Sequence, residues 1–372
     1  MIKKIAIIGG GIAGLVAAIG LKRLGFEVTV FEKAKQFLPL GSDIGLWPNA
    51  LRILDKYGLY QKVLSQSGYY SMISLGTEEG KLISKTPTNE FHQIAPYNPI
   101  NISRYELQDI LVEALGKNEI IFNKTCIKIE ETSKQVITHF QDGSTFYADL
   151  LVGADGAFSF VRDYIETDNK LNYAGYLSLG GISQIPYHIK YNLIFGKYLS
   201  GCFPIGNDRH IFFFVCKHSD FEVNKKYQTL SDQFNLFRNH TPLLDEMLDN
   251  LEQSIEKNRG LQNYFFVKNY NLQPLKKWIK GRTVLIGEAA HLVGPILGCS
   301  TSITLDGVDV LIQYLNQHRN QYKFALEGYE KVHKPRSRKL LALERKFTDK
   351  LRNNLLLSYA SFNEDLISCL KG

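Results

Sequence analysis

The chain has few cysteines, and they follow no pattern. Its five cysteines are scattered among 372 residues, and no two of them form a Cys-x-x-Cys pair. An odd, unpatterned set argues against a disulfide framework and against a zinc site, and it fits a reducing compartment. We therefore expect a cytoplasmic protein without a bound metal.

Long hydrophobic runs are missing as well. Apolar runs such as Ile5–Ile8 are far shorter than the ~20 residues that cross a bilayer. A strand pattern begins almost at once after Met1, so we expect no signal peptide before the fold. The sequence therefore predicts no membrane span.

A strong charge bias is also absent, since the net charge is only +7. The densest basic stretch, residues 331–346, also contains Glu344 and is interpreted as the solvated face of a helix. It lacks the interleaved aromatic residues that stack on single-stranded nucleic acid. We therefore expect no nucleic-acid partner.

What the sequence does contain, near its start, is a strand, a glycine turn, a helix and a second strand. Gly9, Gly11 and Gly14 give the G-x-G-x-x-G spacing between the first strand and the helix, and Glu32 ends the second strand. Gly9 permits a tight turn, Gly11 lets the backbone approach a pyrophosphate, and Gly14 lets helix and strand pack closely. Glu32 stands where a carboxylate binds a ribose hydroxyl. The pattern predicts a dinucleotide site at the helix N-terminus.

Two further motifs follow buried strands later in the chain. Residues 153–162 contain Asp155-Gly156, and residues 278–291 end in Gly287-Glu288-Ala289-Ala290-His291. Asp155-Gly156 could be a plain turn, but the strand before it favours a functional role. Between these motifs, residues 173–220 hold aromatic, strand-like stretches that indicate antiparallel strands. This order predicts a nucleotide-binding fold interrupted by inserted substrate elements.

With these three motifs in order, the sequence resembles the single-component flavoprotein monooxygenases, the para-hydroxybenzoate hydroxylase-like family. That family pairs an N-terminal G-x-G-x-x-G with a mid-chain Asp-Gly segment and a C-terminal Gly-Asp-Ala-Ala-His segment. Segments 44–51, 103–107 and 329–336 are also similar to the family, so the resemblance covers nearly the whole chain.

The resemblance implies an α/β fold in three parts. These are a Rossmann-like FAD-binding domain (1–72, 100–172 and 274–330), an inserted, mostly antiparallel β-sheet substrate domain (73–99 and 173–273) and a C-terminal helical region (331–372).

The resemblance also implies where the cofactor lies. Arg104 should reach FAD from the helix that it opens, Asp155 should lie near the pyrophosphate, and Glu288 should bind the ribityl chain. Pro295 and residues 298–302 should lie against the isoalloxazine. The full set of expected cofactor-binding residues is Gly9, Gly11, Ile12, Ala13, Gly14, Glu32, Lys33, Arg104, Asp155, Gly156, Gly287, Glu288, Pro295, Gly298, Cys299, Ser300 and Thr301.

The sequence departs from the family pattern at four places. Glu288 replaces an Asp, Asp43 replaces a glycine, and Leu179-Gly180 stands where Trp-Arg often follows. Cys299-Ser300 and Ser302 replace Gln-Gly and Asn, and Ser300 would be strained at a positive φ. Cys299 is interpreted as an apolar filler rather than a reactive thiol, and His291 as a residue that orders the backbone.

The resemblance implies an NAD(P)H-using FAD monooxygenase that transfers one oxygen atom of O₂ through a flavin C4a-hydroperoxide. We expect a small, mostly apolar or aromatic substrate and a monomer or homodimer.

No catalytic residue is assigned because the flavin carries the chemistry. Pro295, His210 and Phe212 are pocket candidates, although His210 and Phe212 could equally be core. Two alternatives stay open: a flavin oxidase or double-bond reductase on this fold, and a flavin-binding protein with a lost or regulatory function.

Overall fold

A parallel sheet places the three sequence motifs at one edge. The structure is a computed structural model that describes residues 2–38, 42–217, 229–257, 264–352 and 359–371. In this part of the chain, six strands form the sheet in the spatial order β18 (Ile279–Lys280), β19 (Thr283–Leu285), β12 (Leu150–Gly153), β1 (Lys4–Ile8), β2 (Glu27–Phe31) and β8 (Ile120–Ile121). All neighbouring pairs are parallel except β18 and β19. The carboxyl ends of β1, β12 and β19 therefore meet at the same edge, where ligands bind in open α/β sheets.

The central strands are apolar because helices and smaller sheets cover both faces. β12 is buried at every position, and β1 is buried at all but its first residue. The helices of this part are α1 (Ile12–Arg23), α2 (Pro48–Lys56), α3 (Tyr60–Ser65), α4 (Arg104–Leu115), α5 (Phe160–Ile165) and α8 (Ser300–Gln317). Two three-stranded sheets accompany them: β9 (Cys126–Glu131), β10 (Val136–Phe140) and β11 (Thr145–Ala148), and β3 (Asp43–Leu46), β4 (Gly68–Tyr69) and β7 (Ile100–Ser103).

The inserted part is a mostly antiparallel sheet. Its seven strands within the described residues follow the order β17 (Tyr264–Leu272), β13 (Leu171–Ser183), β16 (His210–Lys217), β15 (Leu199–Pro204), β14 (Leu193–Phe195), β5 (Met72–Thr77) and β6 (Leu82–Pro87). Only the pair of β14 and β5 is parallel. α6 (Leu230–Asn235) and α7 (Pro242–Lys257) pack on one face of this sheet and bury an apolar cluster there.

The chain continues into α9 (Tyr322–Arg352) and α10 (Tyr359–Lys371). The predicted fold class is therefore confirmed: a Rossmann-like part, an inserted antiparallel sheet and a C-terminal helical region. Among the described residues, none of the helices combines the length and the apolar character needed to cross a bilayer.

Candidate cofactor and substrate site

The glycine turn between β1 and α1 is shaped by two tight contacts and one open space. Gly9 has a φ of 108°, and a Cβ there would collide with the carbonyl group of Ala154. A Cβ at Gly14 would collide with the carbonyl oxygen of Gly9. A Cβ at Gly11, by contrast, would find no described atom within 4 Å. Packing explains Gly9 and Gly14, while the open space at Gly11 is what an approaching pyrophosphate requires.

The N-terminus of α1 presents uncompensated positive charge to this open space. No side chain caps the helix, and its first turn contains no acidic residue. In α5, by contrast, the Ser159 hydroxyl caps the helix by accepting a hydrogen bond from the Arg162 N–H at 2.9 Å. Unsatisfied N–H groups and the helix dipole favour a bound anion at α1.

Glu32 holds the glycine turn from one side. Its carboxylate accepts hydrogen bonds from the backbone N–H groups of Gly10 and Ala34, each at 2.8 Å. On the other side of the turn, the Gln108 side chain donates to the carbonyl of Gly10 at 2.9 Å. A carboxylate has about four lone-pair positions, so Glu32 can still accept a ribose hydroxyl. The neighbouring Lys33 is exposed.

Asp155 uses its carboxylate to organise its own loop. It accepts hydrogen bonds from the Ser159 hydroxyl and from the Val161 N–H, and burial raises the pKa of this carboxyl. Its backbone N–H lies next to Gly9. Asp155 therefore fixes the Asp-Gly turn beside the glycine turn, and its side chain faces the start of α5.

Glu288 and Arg104 line the cleft that these turns border. Both residues are exposed, yet the protein around Glu288 desolvates it enough to raise the pKa of its carboxyl, and Arg104 opposes that shift. An exposed side chain that is still desolvated lies on a concave surface. Gly156 and Ala13 approach the same place: a Cβ at Gly156 would lie 3.9 Å from Glu288 Oε2, and one at Gly287 would lie 3.0 Å from the Ala13 Cβ. The three sequence motifs therefore meet around one cleft.

Residues 292–299, which we name the Pro295 loop, lead into α8. Pro295 and Gly298 are exposed, whereas Cys299 is fully buried and its thiol contacts the carbonyl of Leu297 at 3.3 Å. Burial raises the pKa of the Cys299 thiol well above its ordinary value. The predicted strain at Ser300 does not occur, because Ser300 is the first residue of α8 and the positive φ falls on Gly298 at 62°.

The start of α8 is joined to the segment before α2. The Trp47 indole N–H donates to the carbonyl of Gly298 at 3.0 Å, and the Trp47 backbone N–H donates to the Ser302 hydroxyl at 3.0 Å. The N-terminus of α8 has no side-chain cap and no acidic residue in its first turn. Like α1, it can therefore stabilise negative charge on a ligand.

The large sheet turns an aromatic face toward the Pro295 loop. Phe213 and Val215 on β16 are partly buried on this face, and Trp47, Tyr70 and Ile296 pack against the same cluster. We name this the inner face. It is the side from which a substrate could approach the cofactor cleft.

Phe212 lies on the opposite face and in the core, which is the second of the two places that the sequence left open for it. It is fully buried, forms an edge-to-face contact with Tyr187 at 5.1 Å and belongs to the cluster under α7. His210 shares its side of β16 because side chains alternate along a strand, and burial lowers the pKa of this imidazole. Alternation along a strand places His210 and Phe212 on one face, but the sequence does not show that α7 covers that face.

Gly180 is required by packing. A Cβ there would collide with the Phe265 ring and lie 2.7 Å from the carbonyl oxygen of Phe212. Many members of the family that this sequence resembles have an arginine at this position, and such a side chain would not fit here. The arginine that many members of the family place near the flavin is therefore absent from this chain.

His291 belongs to a buried polar cluster below α8. Its Nε2 lies 3.3 Å from Nε2 of His333, whose Nδ1 lies 3.7 Å from Asp306, and Arg336 binds that carboxylate at 3.0 Å. Burial lowers the pKa of His291 well below its ordinary value. This enclosed imidazole contacts His333, and its Nδ1 has no hydrogen-bond partner among the described residues, so the expected role in ordering the backbone stays a prediction.

The comparisons with known proteins agree with this geometry. A family model described as FAD binding domain matches residues 3–317 of the chain. The chain belongs to this family. An FAD-dependent urate hydroxylase of Mycolicibacterium vanbaalenii is 26% identical over 358 residues, which cover 93% of this chain and 88% of the relative. A 6-hydroxynicotinate 3-monooxygenase of Pseudomonas fluorescens is 26% identical over 355 residues, covering 87% of this chain and 86% of the relative.

A solved structure supports the fold. The crystal structure of Klebsiella pneumoniae HpxO complexed with FAD and uric acid has a TM-score of 0.85 and 24% identity, covering 99% of this chain and 92% of that chain. The predicted membership of the para-hydroxybenzoate hydroxylase-like flavoprotein monooxygenases is confirmed. The protein is an FAD-dependent oxidoreductase of the monooxygenase type, and the open space at Gly11 and the uncapped α1 fit its cofactor.

Several site residues were missed from the sequence. Gln108 lies one helical turn after Arg104, a spacing that places both on one side of α4 and could have identified it. No local pattern identifies Tyr70, Trp47 or Asn101 as a group, because strand pairing and loop packing bring them near the Pro295 loop.

Proposed function

We propose that the protein uses NAD(P)H to reduce its FAD and hydroxylates a small, mostly apolar or aromatic organic substrate. The observation that carries the proposal is the meeting of the three motifs around one cleft that borders the inner face. When bound, the flavin takes hydride from NAD(P)H and activates O₂ for transfer of one oxygen atom. The predicted domain boundaries, the cytoplasmic location and the monomeric or homodimeric state stay predictions.

The residues around the cleft would bind and orient the cofactor. The N-terminus of α1 would bind the pyrophosphate, and Glu32 would accept a ribose hydroxyl. Arg104 and Glu288 would contact the middle of the cofactor, where Arg104 adds positive charge. The uncapped start of α8, with Gly298 exposed, would stabilise negative charge on the ring edge of the reduced flavin.

The inner face supports an aromatic substrate. The Phe203 and Phe213 rings are stacked with centroids 6.5 Å apart, and Tyr70 lies 5.3 Å from Phe203. Apolar walls of this kind hold flat rings and exclude water from the reaction. Two relatives are named for urate and 6-hydroxynicotinate, both flat heteroaromatic rings, which makes such compounds the first candidates to test.

The test is isotope incorporation by the purified holoenzyme. We expect the protein to release FAD on denaturation and to oxidise NAD(P)H faster when a hydroxylated heteroaromatic compound is present. In ¹⁸O₂, one labelled oxygen atom should appear in the product. A variant with Gly11→Val, which should not retain FAD, is the matched control. NAD(P)H oxidation that yields only hydrogen peroxide across a broad aromatic panel would favour the oxidase alternative.

A further inference from the structure

Three polar side chains form a hydrogen-bonded chain between the cofactor cleft and the inner face. The Asn101 amide N–H donates to Asp43 Oδ2, and the Tyr70 hydroxyl donates to Asn101 Oδ1 at 2.8 Å. Asp43 on β3 and Asn101 on β7 belong to antiparallel strands of one sheet, and Tyr70 follows β4, which also pairs with β7. Strand pairing therefore fixes the order Asp43, Asn101, Tyr70.

The two ends of this hydrogen-bonded chain of side chains lie in different surroundings. At the cofactor end, a Cβ at Gly45 would lie 2.9 Å from the carbonyl oxygen of Gly298 and 4.0 Å from the Asn101 amide nitrogen. Asn101 is therefore adjacent to the Pro295 loop. At the other end, the Tyr70 ring packs with Phe203 and with the cluster of the inner face. The chain thus connects a carboxylate near the cofactor to a phenol on the substrate side.

The donor and acceptor roles along the chain are determined by the charge of Asp43. An ionised carboxylate can only accept, so the Asn101 amide must turn its NH₂ group toward Asp43 and its oxygen toward Tyr70. Tyr70 must then donate its proton to Asn101, and toward other partners its oxygen acts as an acceptor. A protonated Asp43 can donate to the Asn101 oxygen after the amide flips. The NH₂ group then faces Tyr70, whose proton is released for another acceptor.

We propose that Asp43 and Asn101 are positioning residues that determine whether Tyr70 accepts or donates a hydrogen bond toward the substrate. The proposal rests on the proposed hydroxylase function and adds a substrate class to it. With Asp43 ionised, the site selects aromatic compounds that present an O–H or N–H donor at Tyr70. With Asp43 protonated, this selection is lost.

The surroundings of Asp43 bring the change between its ionised and protonated forms into an accessible pH range. Burial raises the pKa of Asp43 to about 6, opposed by the hydrogen bonds from Asn101 and from its own backbone. β3 packs mainly against β7, which has no charged residue, and against α8. The charged groups on α8 and at the end of β7 are Asp306 (paired with Arg336), Asp309 (paired with Lys56) and Arg104.

The test compares the binding of phenol and of anisole, which differ by a donor hydroxyl. Each is titrated into the FAD-loaded holoenzyme between pH 5 and pH 8, and binding is followed by the change in flavin absorbance. We expect the preference for phenol over anisole to increase about fivefold across pH 6, the effect of one ordinary hydrogen bond. Asp43→Asn should abolish this pH dependence. Tyr70→Phe, which keeps the ring, should abolish the preference itself.

FAD content and thermal stability of both variants serve as folding controls. If Asp43→Asn does not fold, the loss of the phenol preference in Tyr70→Phe still tests the proposal. A preference that does not change with pH in the unaltered protein, equal pH dependence in Asp43→Asn, or no binding of either ligand would overturn the proposal. Binding does not require turnover. A protein that binds as expected but incorporates no ¹⁸O would therefore contradict the proposed hydroxylase function alone.

Discussion

The Ser302 hydroxyl accepts a hydrogen bond from the backbone N–H of Trp47 at 3.0 Å, across 255 positions of sequence. The Ser302 carbonyl also accepts a hydrogen bond from the Asn49 side chain at 3.1 Å. Both bonds join the first turn of α8 to the segment that enters α2. Ser302 therefore makes a definite structural contact at a position where the family usually has asparagine.

Ser302→Ala should destabilise the protein. The half-buried Trp47 N–H would lose its partner, which costs about 1 kcal/mol. Chemical unfolding of the apoprotein measures this loss. Ser300→Ala is the matched control, since Ser300 lies on the same helical turn and its side chain makes no hydrogen bond to another described residue. Equal stability of the two variants would contradict the structural role of Ser302.

Substitutions at Gly11 and Gly14 should have opposite consequences. Gly11→Val should destabilise the apoprotein only by the roughly 1 kcal/mol that an apolar residue costs at a helix N-cap, because the space at Gly11 is open. It should raise the FAD dissociation constant at least about tenfold, since the side chain meets the pyrophosphate. Gly14→Ala should lower the melting temperature of the apoprotein, because its Cβ collides with Gly9. Apoprotein melting and FAD titration of both variants test this. A Gly11→Val apoprotein that is destabilised as much as Gly14→Ala would show that the space is not open.

Arg104→Ala should weaken FAD binding without affecting the fold. The side chain is exposed, and its charge acts on Glu288 in the cleft. Loss of a charged hydrogen bond of about 1.5–3 kcal/mol predicts roughly a tenfold or larger increase in the FAD dissociation constant. Arg52→Ala removes an exposed arginine from α2 and is the matched control. An unchanged dissociation constant in Arg104→Ala would argue against cofactor contact.

Glu344 should make stability depend on pH. This buried carboxylate accepts a hydrogen bond from the Gly294 N–H at 2.5 Å, and burial raises its pKa to about 7 from 4.5. Below pH 4.5 the Glu344 carboxyl is protonated in both the folded and the unfolded protein, and its contribution to the free energy of unfolding is complete. That contribution is lost as the pH rises through about 7, because the unfolded chain releases this proton at a lower pH than the folded protein. Glu344→Gln should therefore gain stability relative to the unaltered protein between pH 5 and pH 8. Parallel pH profiles of the two unfolding free energies would contradict this.

The fold near the cofactor could be predicted because its signals are local. Gly9, Gly11 and Gly14 between two buried strands specify one turn, and parallel strands bring Asp155 and Glu288 to the same edge. The hairpin turn between β10 and β11 is equally local: it contains Asp142-Gly143, a typical hairpin pair, and Gly143 has a φ of 83°. Such elements depend on residues close in sequence.

The substrate side could not be predicted in the same way. Alternation along β16 separates Phe212 from Phe213, but only the position of α7 decides which face is covered. The chain of Asp43, Asn101 and Tyr70 depends on pairing between strands that are far apart in sequence. The sequence shows that Asp43 replaces a glycine of the family, but only the tertiary structure shows that its carboxylate binds Asn101.

The proposed function requires that the bound flavin activates O₂ for transfer to a substrate. Rapid mixing of the anaerobically reduced holoenzyme with O₂, followed by absorbance, is the decisive measurement. We expect a transient near-ultraviolet band that forms before the oxidised flavin spectrum returns and that decays faster when a substrate is present. Direct return of the oxidised spectrum without a transient band, with or without aromatic compounds, would contradict it.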